Sequence, residues 1–333
     1  MPDSFNELIG QNEAVELLVQ AVASGRVAPA YLFAGPPGVG RTLAAREFSQ
    51  LLLAPAAASS EERSLANHPD FLWVEPTYTH QGNYLTASQA AQAGLNRKAP
   101  PQIRIEQVRD VARFLSRPPL EASRSVVVIE EAQAMTEAAA NGLLKTLEEP
   151  GQATIILIAP GTDALLPTLV SRCQQIPFRR LSRRHLQQVL QAQGSELQQP
   201  FLLEIAQGSP GEALAAESQL QAIPQKLRQS LQAPPQSALA ALTLAKTIDR
   251  ELDTLAQLWL LDYLQYCYWH QWRQKTAIEL LEHARHCLLN FVQPRLVWEV
   301  TLLQLSQSAV GAGEAACAAG KGETVPDGTG KGK

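Results

Sequence analysis

The sequence predicts an α/β half built on a parallel five-stranded sheet, followed by an all-α half. Short apolar runs alternate with helical periodicity up to about residue 178, and strand signals stop after about residue 180. A length of 333 residues, at roughly 150 per domain, makes about two domains.

Taken in order, the first element is a helix over 11–23. Ala14, Leu18 and Val22 recur at four-residue spacing with Val15 and Val19 beside them, and Gly25 follows as a stop. Tyr31-Leu32-Phe33-Ala34 is a short apolar run ending in a glycine-rich turn, after which 42–53 resumes a helical pattern. Further buried strands are expected at 71–74, 125–129, 154–159 and 175–178. Between them, Ile105, Val108, Ala112 and Leu115 mark a helix ended by Pro118-Pro119, and Thr136 caps another that exits at Pro150. Strands alternating with helices imply a parallel sheet covered on both faces. Helical blocks then follow at 183–193, 199–207 and 237–306, the last broken by Pro294. From 309 the chain is rich in Gly, Ala and Lys without apolar periodicity, and reads as a disordered tail over 309–333.

Lys plus Arg is 28 against 32 for Asp plus Glu, a net charge of −4. That is not the basic balance of a protein whose own binding is dominated by phosphate neutralisation. Apolar residues at 45% and charged residues at 18% exclude disorder throughout. No apolar stretch reaches the roughly 18 to 20 residues of a membrane span, and Met1-Pro2-Asp3-Ser4-Phe5 lacks the features of a secretory signal. A cytoplasmic protein without a membrane partner is expected. Cys173, Cys267, Cys287 and Cys317 are widely spaced, which argues for reduced thiols and no metal site. His283 and His286 beside Cys287 read as a polar helix face.

Chemistry concentrates in two motifs. Gly35-Pro36-Pro37-Gly38-Val39-Gly40-Arg41-Thr42 fits the phosphate-cradling pattern G-x4-G-K-[ST], with Arg41 in place of Lys. Arg keeps the charge, but its planar fork is bulkier than an ammonium, so phosphate binding is retained more readily than efficient hydrolysis. A glycine turn with no nucleotide remains the alternative. Val126-Val127-Val128-Ile129-Glu130-Glu131 is the expected partner, an apolar strand ending in two carboxylates. One would hold a magnesium ion through water, and the other would polarise an attacking water. Asp is usual at the first position, and Glu130 adds a methylene, roughly 1 to 1.5 Å of reach. The cluster Arg179, Arg180, Arg183, Arg184 and His185 is either a solvated helix face or a DNA contact. Trp259, Trp269, Trp272 and Trp298 are read as core packing rather than a ligand cage.

With two further segments, these residues resemble the clamp-loader branch of the AAA+ ATPases, from about residue 5 to 305. The most specific segment is Asn141-Gly142-Leu143-Leu144-Lys145-Thr146-Leu147-Glu148-Glu149-Pro150, followed by Leu169-Val170-Ser171-Arg172-Cys173. Supporting pieces include Ile9-Gly10-Gln11, His68-Pro69-Asp70, Ile105-Glu106-Gln107-Val108-Arg109 and Pro294-Arg295-Leu296. The resemblance implies an AAA+ P-loop domain at 1–178, a helical lid at 179–214 and a helical oligomerisation collar at 215–308. It also implies a hetero-oligomeric ring of gamma/tau and delta subunits that loads a sliding clamp on primed DNA for a replicative DNA polymerase. Arg172 would act there as an arginine finger on a neighbour's nucleotide.

Departures from the family pattern are Arg41, Glu130, Ala159-Pro160-Gly161 in the sensor region, and Gly211 where the lid's second sensor arginine belongs. With Arg172 kept, this is the pattern of a member that supplies a finger but does not hydrolyse. Its own site, Gly35, Gly38, Gly40, Arg41, Thr42, Glu130 and Glu131, would be degenerate. No cofactor would be required; ATP or ADP with magnesium would be held weakly or structurally. The family's zinc module has no counterpart because residues 51–70 contain no cysteine, leaving a shortened helical insertion. A weakly active ATPase of gamma/tau type is the alternative.

Overall fold

In the computed structural model, the described residues are 5–54, 65–80, 82–93, 100–194, 200–273, 275–290 and 292–319. The chain divides into two compact units, 1–214 and 215–333. The first contains α1 (Asn12–Ala23), β1 (Ala30–Ala34), α2 (Arg41–Leu53), β2 (Phe71–Val74), β3 (Thr77–His80), β4 (Asn83–Thr86), α3 (Ala87–Gln92), α4 (Ile105–Leu115), β5 (Ser125–Ile129), α5 (Glu137–Glu148), β6 (Ala153–Ala159), α6 (Pro167–Val170), β7 (Gln174–Pro177), α7 (Arg183–Ala192) and α8 (Pro200–Ala206). Helix α9 (Pro210–Ala222) runs across the division.

The expected strands form one five-stranded sheet in the order β2-β5-β6-β1-β7, with every neighbouring pair parallel. Alternate side chains feed two cores. Tyr31, Phe33, Val126, Val128, Ile156 and Ile158 face Leu18, Phe48 and Leu190. Leu32, Val127, Ile129, Ile155 and Leu157 face Val108, Leu143 and Leu169. Strands β5 and β6 are buried along their whole length, which is why they read as continuous apolar runs rather than alternating ones. Thr136 caps α5 as expected, accepting the Ala139 N–H at 3.3 Å.

The lid expected at 179–214 belongs to the first unit: Leu186, Leu190, Ala206 and Ala213 join the same core as one face of the sheet. The antiparallel hairpin β3–β4 was not expected, because its Thr, His and Asn content carries no apolar alternation. The shortened insertion expected after α2 falls mainly on 55–64, outside the described residues, and ends at a 3-10 turn, Leu65–Asn67.

In the second unit lie the remainder of α9 and then α10 (Gln225–Leu231), α11 (Ala238–Glu251), α12 (Thr254–Trp272), α13 (Lys275–Leu289) and α14 (Pro294–Ala319). Helix α14 packs on α11 and α13, and α13 on α12. Pro294 opens α14, where a missing N–H costs nothing. The tail expected from 309 is corrected in one respect: α14 continues to Ala319, and 320–333 lie outside the described residues. Trp298 is fully buried and donates its indole N–H to Gln257 Oε1 at 2.9 Å, whereas Trp269 is 52% exposed. Among the described residues, no helix is long and apolar enough to cross a membrane.

Candidate functional site

Because the sheet is parallel, the carboxyl ends of β1, β5 and β6 lie along one edge, where ligands of such sheets are held. The glycine loop follows β1, Glu130 and Glu131 follow β5, and Ala159 ends β6. The loop turns through left-handed backbone at Gly38 (φ 71°) and Gly40 (φ 101°). A Cβ at Gly38 would fall 2.5 Å from Ser209 Oγ, so glycine is needed there for space as well as conformation. At Gly35 a Cβ would meet the Phe178 carbonyl oxygen.

Ser209 and the start of α9 are bonded directly to this loop. Ser209 Oγ donates to the Pro37 carbonyl at 2.9 Å, and the Gly211 N–H donates to the Gly38 carbonyl at 2.9 Å. A Cβ on Gly211 would approach Gly38 Cα to 2.7 Å. The position assigned to a sensor arginine is therefore a backbone contact with no room for a side chain.

Arg41 is partly buried at the start of α2, and its Nη1 is buried without a hydrogen-bond partner. Burial lowers its pKa, while Glu130 and Glu131 oppose that shift. Thr42 Oγ1 donates to Glu130 Oε1 at 2.9 Å, and Trp73 Nε1 donates to Glu130 Oε2 at 3.0 Å. Glu131 is exposed in left-handed backbone (φ 48°), at the start of a 3-10 turn. Beside them, Glu75 is raised above the ordinary carboxylate range by burial and by the charge of Glu130.

A cavity of about 540 Å³ opens on the loop, lined by Leu8, Val39, Arg41, Leu181, Val189 and Leu214 among others. Apolar walls with a cationic side chain beside a glycine loop at a helix start are the chemistry that would receive a phosphorylated ligand. Gly35, Gly38, Gly40, Arg41, Thr42, Glu130 and Glu131 are thus brought to one edge of the sheet.

Arg172 is not among them. It lies between α6 and β7, at the amino end of β7, and so at the opposite edge of the sheet. Its side chain is 37% exposed, with Nη2 2.7 Å from Glu148 Oε1 and Nη1 donating to the Thr168 carbonyl at 3.0 Å. Elsewhere, Arg179 pairs with Glu13 and Arg180 with Glu212. On α13, Cys287 Sγ lies 3.6 Å from His283 Nε2. Among the described residues, no group of three or more His, Cys, Asp or Glu could hold a metal ion.

Sequence reasoning missed Trp73 and Ser209. Trp73 reaches Glu130 because β2 pairs with β5 in the register Trp73 to Val128; a lone Trp near the end of a short strand was the only available signal.

The family described as "DNA polymerase III, delta subunit" matches residues 10–182, and "Cyanobacterial DNA polymerase III delta prime, C-terminal domain" matches residues 184–305. DNA polymerase III subunit delta' of Pseudomonas aeruginosa is 34% identical over 197 residues, covering 55% of this chain and 54% of the relative. The delta' subunit of Bacillus subtilis is 31% identical over 186 residues, 53% of this chain and 49% of the relative. DNA polymerase III subunit tau of the same organism is 27% identical over 215 residues, 63% of this chain and 36% of the relative. The chain spans about half the length of the delta' relatives it matches. A gamma subunit-related protein of Thermotoga maritima has a similar fold, with a TM-score of 0.53 at 16% identity over 89% of this chain and 99% of that one. The fold, a parallel five-stranded sheet carrying a glycine loop and followed by a carboxyl-terminal helical region, is shared with that protein, and the chain belongs to the DNA polymerase III delta-subunit family.

Proposed function

We propose that this chain is a clamp-loader subunit of delta-prime type in DNA replication. In this role it supplies Arg172 in trans to the nucleotide site of a neighbouring gamma/tau subunit. With delta and gamma/tau it helps place the sliding clamp on primed DNA. Its own site holds ATP or ADP weakly or structurally and does not turn it over. The observation that carries the reading is the placement of Arg172 at the edge of the sheet opposite the chain's own phosphate loop. From there the guanidinium can serve only a nucleotide held by another chain. The replacement of the sensor arginine by Gly211, packed on Gly38, supports the absence of turnover.

The test is reconstitution with gamma/tau and delta subunits, sliding clamp and primed DNA. Arg172→Ala is expected to leave assembly unchanged in gel filtration and to lower turnover at the accepting site on the order of a hundredfold or more. Unchanged turnover and clamp loading would remove Arg172 from this role. Magnesium-dependent hydrolysis by the chain alone, abolished by Arg41→Ala, would instead favour a weak ATPase.

A further inference from the structure

We infer that the Gly35 to Thr42 loop takes the phosphates of a nucleotide on the Arg41 guanidinium without a divalent cation, and that Trp73 is the positioning residue that keeps Glu130 out of a metal-binding role. This rests on the reading that the site binds nucleotide, and it specifies in what form.

Both oxygens of Glu130 are engaged. Thr42 donates to Oε1 at 2.9 Å, a bond compatible with a metal-binding loop, in which the threonine oxygen can still face a cation. The indole N–H of Trp73 donates to Oε2 at 3.0 Å, which turns the carboxylate toward β2 and takes up acceptor capacity that a metal-bound water would draw on. An indole nitrogen is a donor only, so the bond cannot be inverted to suit a cation, and moving Glu130 would leave the N–H without its acceptor.

The indole is itself fixed. The Arg46 guanidinium lies 5.2 Å from the ring centroid, and the Phe71 ring is 6.1 Å away. Arg46 is one helical turn beyond Thr42 on α2, so the helix that opens at the phosphate loop also braces the residue that restrains Glu130.

One cationic group for the phosphates is already present at the head of α2, in Arg41. Arg41 Nη1 is buried and has no partner, and a guanidinium can span two phosphate oxygens with parallel donors. Glu130, one methylene longer than Asp, reaches across to β2 and bonds the indole.

The test is calorimetric titration of the full chain with ADP, in excess magnesium and separately in EDTA. Wild-type affinity is expected to agree within about threefold between the two conditions, and Arg41→Ala to lose at least about tenfold in both. Trp73→Phe frees Oε2 and is expected to acquire an affinity at least about fivefold tighter with magnesium than without. Glu130→Asp, which withdraws the carboxylate from the indole without disturbing the Trp73 packing, is expected to do the same and guards against misfolding of the first variant. Wild-type binding strengthened about tenfold or more by magnesium would overturn the inference. Magnesium-independent binding in both variants would overturn the part assigned to Trp73. No ADP binding in either condition would overturn the inference and the nucleotide reading together, leaving the role of Arg172, which is measured on a partner's turnover, to stand or fall separately.

Discussion

Asp70 shows how a charged residue can be almost fully buried and still ionised. It is 2% exposed, yet Oδ1 accepts the Leu120 N–H at 2.6 Å, and Oδ2 accepts those of Glu121 and Ala122 at 2.8 and 2.7 Å. Burial alone would raise its pKa, but the three N–H donors and His68 together hold it below the ordinary carboxylate value. This is the physical content of the His68-Pro69-Asp70 segment: it ties the loop before β5 to the end of β2's approach. A depressed folded pKa means that the stabilisation is complete above the unfolded value of about 3.9 and is lost as pH falls towards the folded value. Asp70→Asn is expected to cost about 1 to 3 kcal/mol at neutral pH in urea unfolding. Below about pH 4 the gap between variant and wild type should narrow. A gap that stays constant down to pH 3 would show that the loss comes from geometry and not from charge.

The start of helix α9 and the glycine loop form a joint in which small residues decide the spacing. Gly211 donates to the Gly38 carbonyl and leaves no room for a Cβ, and the obstructing atoms are backbone, which cannot rotate aside. Gly211→Ala is therefore expected to destabilise the first unit by about 1 to 3 kcal/mol despite the better helix propensity of alanine. Unfolding midpoints equal to wild type would mean that the lid is free to move off the loop. At this joint local sequence information lapsed. Strands β1, β5 and β6 were readable because each is a buried apolar run, α5 because Thr136 sits at its cap, and α7 by its helical periodicity. Helix α9 was not, since its alanines and glutamines give no apolar stripe. The Trp73 to Glu130 bond was beyond reach for a different reason: it depends on which strand neighbours β5, and strand order is a tertiary fact. Arg172 was singled out by its motif, but its place opposite the glycine loop emerged only from the parallel register of β7 with β1.

Over the whole molecule, a net charge of −4 must be reconciled with membership of the DNA polymerase III delta-subunit family. The strongest basic cluster is partly neutralised within the fold. Arg179 is 3.1 Å from Glu13 and Arg180 is 3.3 Å from Glu212, and Arg180 also donates to the carbonyls of Ala206 and Gln207. Surface pairs of this kind contribute little stability, but they occupy guanidinium donors that a phosphate would otherwise receive. Arg183 and Arg184 remain exposed on the first turn of α7. If these two were the only cations offered to a DNA backbone, log affinity should fall with log salt with a slope of about −2 at most, since each neutralised phosphate contributes about −0.9. Titration of the isolated full chain on primed duplex across a salt series is accordingly expected to give weak binding with a shallow slope. Arg183→Ala combined with Arg184→Ala should abolish what remains. A slope near −5 would mean that the chain carries a continuous phosphate track of its own. A shallow slope would leave the contact with DNA to be shared among the subunits of an assembly.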